Sequence, residues 1–143
     1  MQLYSHQISL RIWHPSIDPS VISGQLGLKP SVTHRAGERR ATPKGRPLDG
    51  TYAESYWHSD PFNYGEYSSS DSIAEDVLLD VCKHLEPRKQ FLLLLREQGA
   101  RLHVQVSSFG VRNYAFEFSP ELLFAFAALG LSLVHDVYGC PQK

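Results

Sequence analysis

One arrangement of residues occurs twice in this chain. From Ile8 to Gly37 an alternating strand is followed by Asp18-Pro19, a short apolar helix, Leu26-Gly27-Leu28 and a second strand through His34. From Tyr114 to Gly139 the order returns. Tyr114, Phe116 and Phe118 alternate, Ser119-Pro120 opens an apolar helix, Leu129-Gly130-Leu131 closes it, and a strand runs to Tyr138. In both copies an oxygen-bearing N-cap precedes proline at the first helical position, where its missing N–H leaves nothing unpaired. In both, glycine follows the last apolar residue, where the backbone must turn left-handed. Two such passages predict a domain that mixes strands and helices throughout.

The stretch between the copies supplies the remaining elements. Ile8, Leu10 and Ile12 alternate with Gln7, Ser9 and Arg11, so the first strand has one face on the core and one facing water or a partner. A second strand is expected at Val32 to Ala36, then a loop at Glu38 to Gly50 broken by Pro43, Gly45, Pro47 and Gly50. A third strand, Thr51 to His58, forms a hairpin with the second. Asp60 to Ser70 reads as a long loop rich in aromatic residues. A helix then runs from Asp71 or Ser72 to Leu85, with Ser72-x-x-Glu75 as a capping box and Ile73, Val77, Val81 and Leu85 as its apolar stripe. Pro87 separates it from a helix at Arg88 to Gln98, and Leu102, Val104 and Val106 point inward from the strand that follows. The whole predicts an α+β fold in one domain, residues 1–143. Its order is the ferredoxin-like βαββαβ with an appended βαβ unit, a largely antiparallel sheet and helices on one face.

The apolar fraction of 42% and charged fraction of 20% are those of an ordinary globular chain long enough for its own core. A formal net charge of −1 disfavours a general nucleic-acid binder. Met1 to Trp13 alternates rather than forming a leader, and Leu122 to Leu131 is too short to span a bilayer. Cys82 and Cys140 have no framework spacing. These features suit a cytoplasmic protein in a reducing compartment.

Charge is segregated. Lys29 to Arg46 holds six Lys/Arg against Glu38 alone, while Asp49 to Glu86 holds nine Asp/Glu against Lys83 alone. Tyr52, Tyr56, Trp57, His58, Phe62, Tyr64 and Tyr67 place seven rings in sixteen residues. Exposed rings give large contact area at small entropic cost, and arginines pair with carboxylates or phosphates. Arg35, Glu38, Arg39, Arg40, Tyr56, Trp57, His58, Phe62 and Tyr64 are therefore the candidate ligand- or partner-binding residues. The alternative is structural: the charges are solvated, and Tyr56 or Trp57 faces inward under a small aromatic core.

No catalytic or cofactor signature accompanies them. The seven histidines show no metal-ligand spacing, although His58 and Asp60 are neighbours and His34, His103 and His135 fall on strands. Cys82 and His84, two apart on a helix, diverge by roughly 200°. Gly24, Gly27, Gly37 and Gly45 lack phosphate-loop spacing. Catalytic residues, cofactors and metals are each read as none.

The order Asp18-Pro19-x-x-Ile22, Leu26-Gly27-Leu28-Lys29-Pro30, Gly37-Glu38-Arg39, Trp57, His84-Leu85-Glu86-Pro87, Leu129-Gly130-Leu131 and Asp136-Val137-Tyr138 resembles the bacterial family called domain of unknown function 4279. The likeness runs from about Ile8 to Tyr138. It implies a small bacterial cytosolic protein and supplies no catalytic residues. Arg35, Gly37, Glu38 and Trp57 match its recurrent pattern. Some small families of this kind resemble immunity proteins, which bind and neutralise a toxin. The leading expectation is a non-enzymatic module that binds an unidentified protein through Arg35 to Arg40 and Tyr56 to Tyr67. A small-molecule or anion site, an enzyme's among them, at Arg35, Arg39, Trp57 and His58 is the competing one. A homodimer formed through the polar strand face or a sheet edge is a third.

Overall fold

Strand β1 (Ser5–His14) is the central strand of the main sheet, and its strict alternation buries one of its faces. His6, Ile8, Leu10, Ile12 and His14 are buried on one face, while Ser9, Arg11 and Trp13 stay partly exposed on the other. The structure, a computed structural model, describes residues 3–62 and 65–139. Cys140 and Tyr64 lie outside them.

After β1 come α1 (Pro19–Leu26), β2 (Val32–His34), β3 (Arg39–Ala41), β4 (Pro47–Thr51), β5 (Ser55–Ser59) and β6 (Glu66–Ser68). Then follow α2 (Ala74–Leu85), a 3-10 turn (Glu86–Arg88), α3 (Lys89–Glu97), β7 (Arg101–Gly110), α4 (Pro120–Leu129) and β8 (Ser132–Gly139). The main sheet has the order β2-β5-β1-β7-β8. Among the described residues only the β7–β8 pairing is parallel, with α4 as its crossover. β5 and β6 share one edge of β1, facing Leu10–His14 and Ser5–Gln7 respectively. β3 and β4 form a separate bulged hairpin.

Buried residues of all four α-helices join Ile8, Leu10, Ile12, Trp57, Leu102, Val104 and Val106 in one core cluster. The fold is thus α+β, with a mostly antiparallel sheet layered on one side by helices. No helix among the described residues is long and apolar enough to cross a membrane.

The repeated caps form as the sequence implies. Asp18 accepts the Ser20 N–H at 3.0 Å and Ser119 accepts that of Leu122 at 3.2 Å. Gly27 and Gly130 adopt φ of 64° and 70°. The repeat is incomplete, however. Tyr114 to Phe118 is irregular rather than a strand, because β8 already occupies the outer edge of β7. The alternating rings pack instead: Tyr114 stacks on Tyr4 at 4.9 Å and Phe116 meets Tyr4 edge-on at 5.0 Å.

Three other expectations need correction. The second strand ends at His34, and the loop after it folds into the β3–β4 hairpin. The aromatic loop contains β6, held by β1. Helix α2 begins after Ile73 without a capping box. A tertiary cap replaces it: the Tyr4 hydroxyl accepts the Ala74 N–H at 3.0 Å, while Glu75 takes the Glu117 N–H at 3.0 Å. A remote tyrosine thus satisfies one orphan donor of the first turn, the Ala74 N–H, in place of the local cap that Ser72 was expected to give at Glu75.

Candidate functional site: the uncovered sheet face

With the helices on one side, the other side of the sheet displays every second residue of its strands. The register aligns them in rows. His34, Tyr56, Trp13 and Arg101 stand opposite one another across β2, β5, β1 and β7. The next row is Val32, His58, Arg11, His103 and Ser132. The rings touch: Trp13 lies 5.2 Å from Tyr56 and 4.9 Å from His103, and Tyr52 stacks on His34 at 3.6 Å. The Arg101 guanidinium sits 4.6 Å above the Trp13 ring and pairs with Glu54 at 2.9 Å.

Arg11 differs from Arg101. Its Nε donates to Ser9 Oγ at 3.2 Å, and among the described residues no carboxylate lies within ion-pair distance. Its charge acts on both flanking imidazoles. Burial first, then the Arg11 cation, holds His58 below the usual histidine value, with Asp60 opposing. Burial, Arg101 and Arg11 do the same to His103. Burial lowers His34 as well. Tyr56 is raised by burial. The face therefore presents neutral imidazoles and rings around one arginine without a carboxylate partner. Such a surface suits apolar planar groups and a carboxylate arriving together.

The residues singled out from the sequence separate into distinct places. Tyr56 and His58 lie on this face. Trp57 does not: it is 0% exposed, and its indole N–H donates to Ser23 Oγ on α1 at 2.9 Å. Strand alternation forces this, since neighbours on a strand cannot share a face. Arg35 reaches the α1 cap, 3.5 Å from Asp18, and Glu38 closes a turn back to the Arg35 backbone, with the Glu38 N–H donating to its carbonyl at 3.1 Å. Arg39 donates to the Leu48 carbonyl across the hairpin at 3.3 Å, and Arg40 is exposed there. Arg35, Glu38 and Arg39 border two adjoining clefts of about 280 and 530 Å³ beside β2 that share Thr33, His34 and Glu38. Phe62 lines a third cleft, of about 410 Å³, with Leu28 and Pro30, and meets His84 edge-on. Tyr64 lies outside the described residues.

Arg11, Trp13, Arg101 and His103 were missed as site residues. Their signal was present in the alternation of β1 and β7, which sends them away from the core.

A second cluster joins residues far apart in sequence. Ser108 Oγ lies 2.7 Å from His135 Nε2 and 2.6 Å from the Tyr114 hydroxyl. The spacing is that of a nucleophile and its base. Ser108 is nonetheless 0% exposed, so its hydroxyl pins β7, β8 and the Tyr114 loop together rather than meeting a substrate.

The family model named Domain of unknown function (DUF4279) matches residues 2–139, and the chain belongs to that family. No curated protein and no solved structure matches the chain.

Proposed function

We propose that this member of the DUF4279 family is a cytosolic, non-enzymatic protein-binding module whose recognition surface is the uncovered face of its sheet. The observation that carries the reading is Arg11, without a carboxylate partner among the described residues and set between His58 and His103 in the row next to the Trp13–Tyr56 pair. The face extends across β2, β5, β1 and β7, a breadth that suits a protein contact more than a small-molecule pocket. Its chemistry suits a partner whose acidic side chain pairs with Arg11 while apolar groups lie on the rings. A toxin bound in the immunity manner would be one such partner. We read the order β2-β5-β1-β7 as two interleaved β-α-β units of the ferredoxin-like kind, with α4 and β8 appended.

The test is capture from the native host's lysate with wild type, Arg11→Glu and, as a control on the hairpin, Arg39→Glu. A protein held by wild type and Arg39→Glu but released by Arg11→Glu supports the reading. Losing a half-buried charge partner in an interface costs about 2–5 kcal/mol, or roughly thirtyfold or more in affinity. A partner indifferent to Arg11→Glu, or no partner at all, contradicts it. The cleft of about 530 Å³ beside β2, with Arg39, His34 and Tyr52 in its wall, favours a second reading as a small-anion site. Calorimetric titration with inorganic phosphate, repeated on Arg39→Ala, tests that reading separately.

A further inference from the structure

The two edges of the main sheet are built differently. β2 spans three residues, follows Pro30, and faces the hairpin across the cleft beside it. β8 runs eight residues in unbroken register with β7, and among the described residues nothing pairs with its outer edge. It contains no proline, lysine or bulge, the devices that ordinarily blunt an edge against another strand. Val137, on the helix side, is 62% exposed. Asp136 is the strand's one carboxylate.

We propose that β8 pairs with the β8 of a second copy of this chain, antiparallel about a twofold axis perpendicular to the sheet, so that two sheets become one. Sheet geometry restricts the register. Such an axis keeps both helical layers on the same side, so directly opposed residues must share a face and the axis must pass through a residue. Centred on Asp136, two carboxylates would stand opposite each other with Cα atoms about 4.5–5.5 Å apart, which is repulsive. Centred on His135, Asp136 faces Val134 of the second copy, Leu133 faces Val137, and Ser132 faces Tyr138. Like charges then part, and two Leu–Val pairs form on the helix side over the exposed Val137. Centres nearer either end shorten the ladder. This complementarity of the strand with itself is what selects a second copy as the occupant.

Sedimentation equilibrium across a wide concentration range tests the proposal. Wild type is expected at twice the 16.1 kDa chain mass, and Val137→Lys, with unchanged circular dichroism, at the chain mass. In a Cys140→Ser background, mild oxidation is expected to join His135→Cys chains to each other and to leave Asp136→Cys chains separate. A wild type that stays monomeric overturns the proposal and leaves the edge to a strand from another protein. A dimer that survives Val137→Lys overturns it too, as does the reverse cross-linking pattern.

Discussion

Trp57 is where the fold and the recognition surface compete for one residue, and its replacement by phenylalanine has a calculable cost. The indole is wholly buried and donates to Ser23 Oγ at 2.9 Å, fastening α1 to β5. Truncating the ring removes roughly 50 Å² of buried apolar surface, about 1.2 kcal/mol at about 25 cal/mol per Å². The lost hydrogen bond adds about 1 kcal/mol, so Trp57→Phe should destabilise by about 2–3 kcal/mol with some cavity cost included. Ser23→Ala leaves the buried indole N–H unpaired at about 1–3 kcal/mol, partly offset by about 0.5 kcal/mol of better helix propensity. In a double-mutant cycle the two changes should couple by about 1 kcal/mol, because each removes the same bond. Urea unfolding followed by circular dichroism measures all four corners. For a domain of this size the Trp57→Phe loss corresponds to a melting temperature lower by roughly 6–10 °C. A Trp57→Phe change below about 0.5 kcal/mol, or strict additivity with Ser23→Ala, would refute the anchoring role. Folded Trp57→Phe should keep wild-type partner affinity; its loss would return Trp57 to the binding surface.

Gly130→Ala should cost about 1–2 kcal/mol in thermal denaturation, since φ is 70° and the added Cβ would lie 3.2 Å from Arg96 Cδ; a neutral result would deny the left-handed cap. Burial lowers His34, His58, His103 and His135 alike, so the folded state binds fewer protons than the unfolded one near pH 6. Their contribution is full above the unfolded value of about 6.5 and declines as pH falls through the lower folded values; a urea midpoint that rises from pH 7 to 5.5 would contradict this. Burial raises the Cys82 thiol to about 11, so it should resist iodoacetamide at pH 8 in the native protein and react fully in urea, as read by peptide mass spectrometry. Rapid native labelling at Cys82 would contradict it.

Much of the fold was legible because it rests on local signals. The alternation of Ile8, Leu10 and Ile12, the Asp18 and Ser119 caps and the glycines at 27 and 130 each act within a few residues. The cap on α2 was not legible, because its acceptor, Tyr4, is seventy residues away in sequence. Tyr114 to Phe118 has the pattern of a strand but lacks a ladder partner, and sequence pattern does not report which edge is vacant. The candidate residues divide between places for a related reason. Rings dense along the chain are not all dense in space, because Tyr56 and Trp57 point to opposite faces of β5. Arg11 and His103, ninety-two residues apart, become neighbours only through the β1–β7 register.

The central claim, recognition through the uncovered sheet face, is tested most directly by the two indole N–H signals in a proton–nitrogen correlation spectrum. The chain holds two tryptophans: Trp13 lies on that face and Trp57 in the core. On titration with the protein retained by wild type, the Trp13 signal should move or broaden while the Trp57 signal keeps its position. A Trp13 signal that stays fixed at saturation would contradict the account.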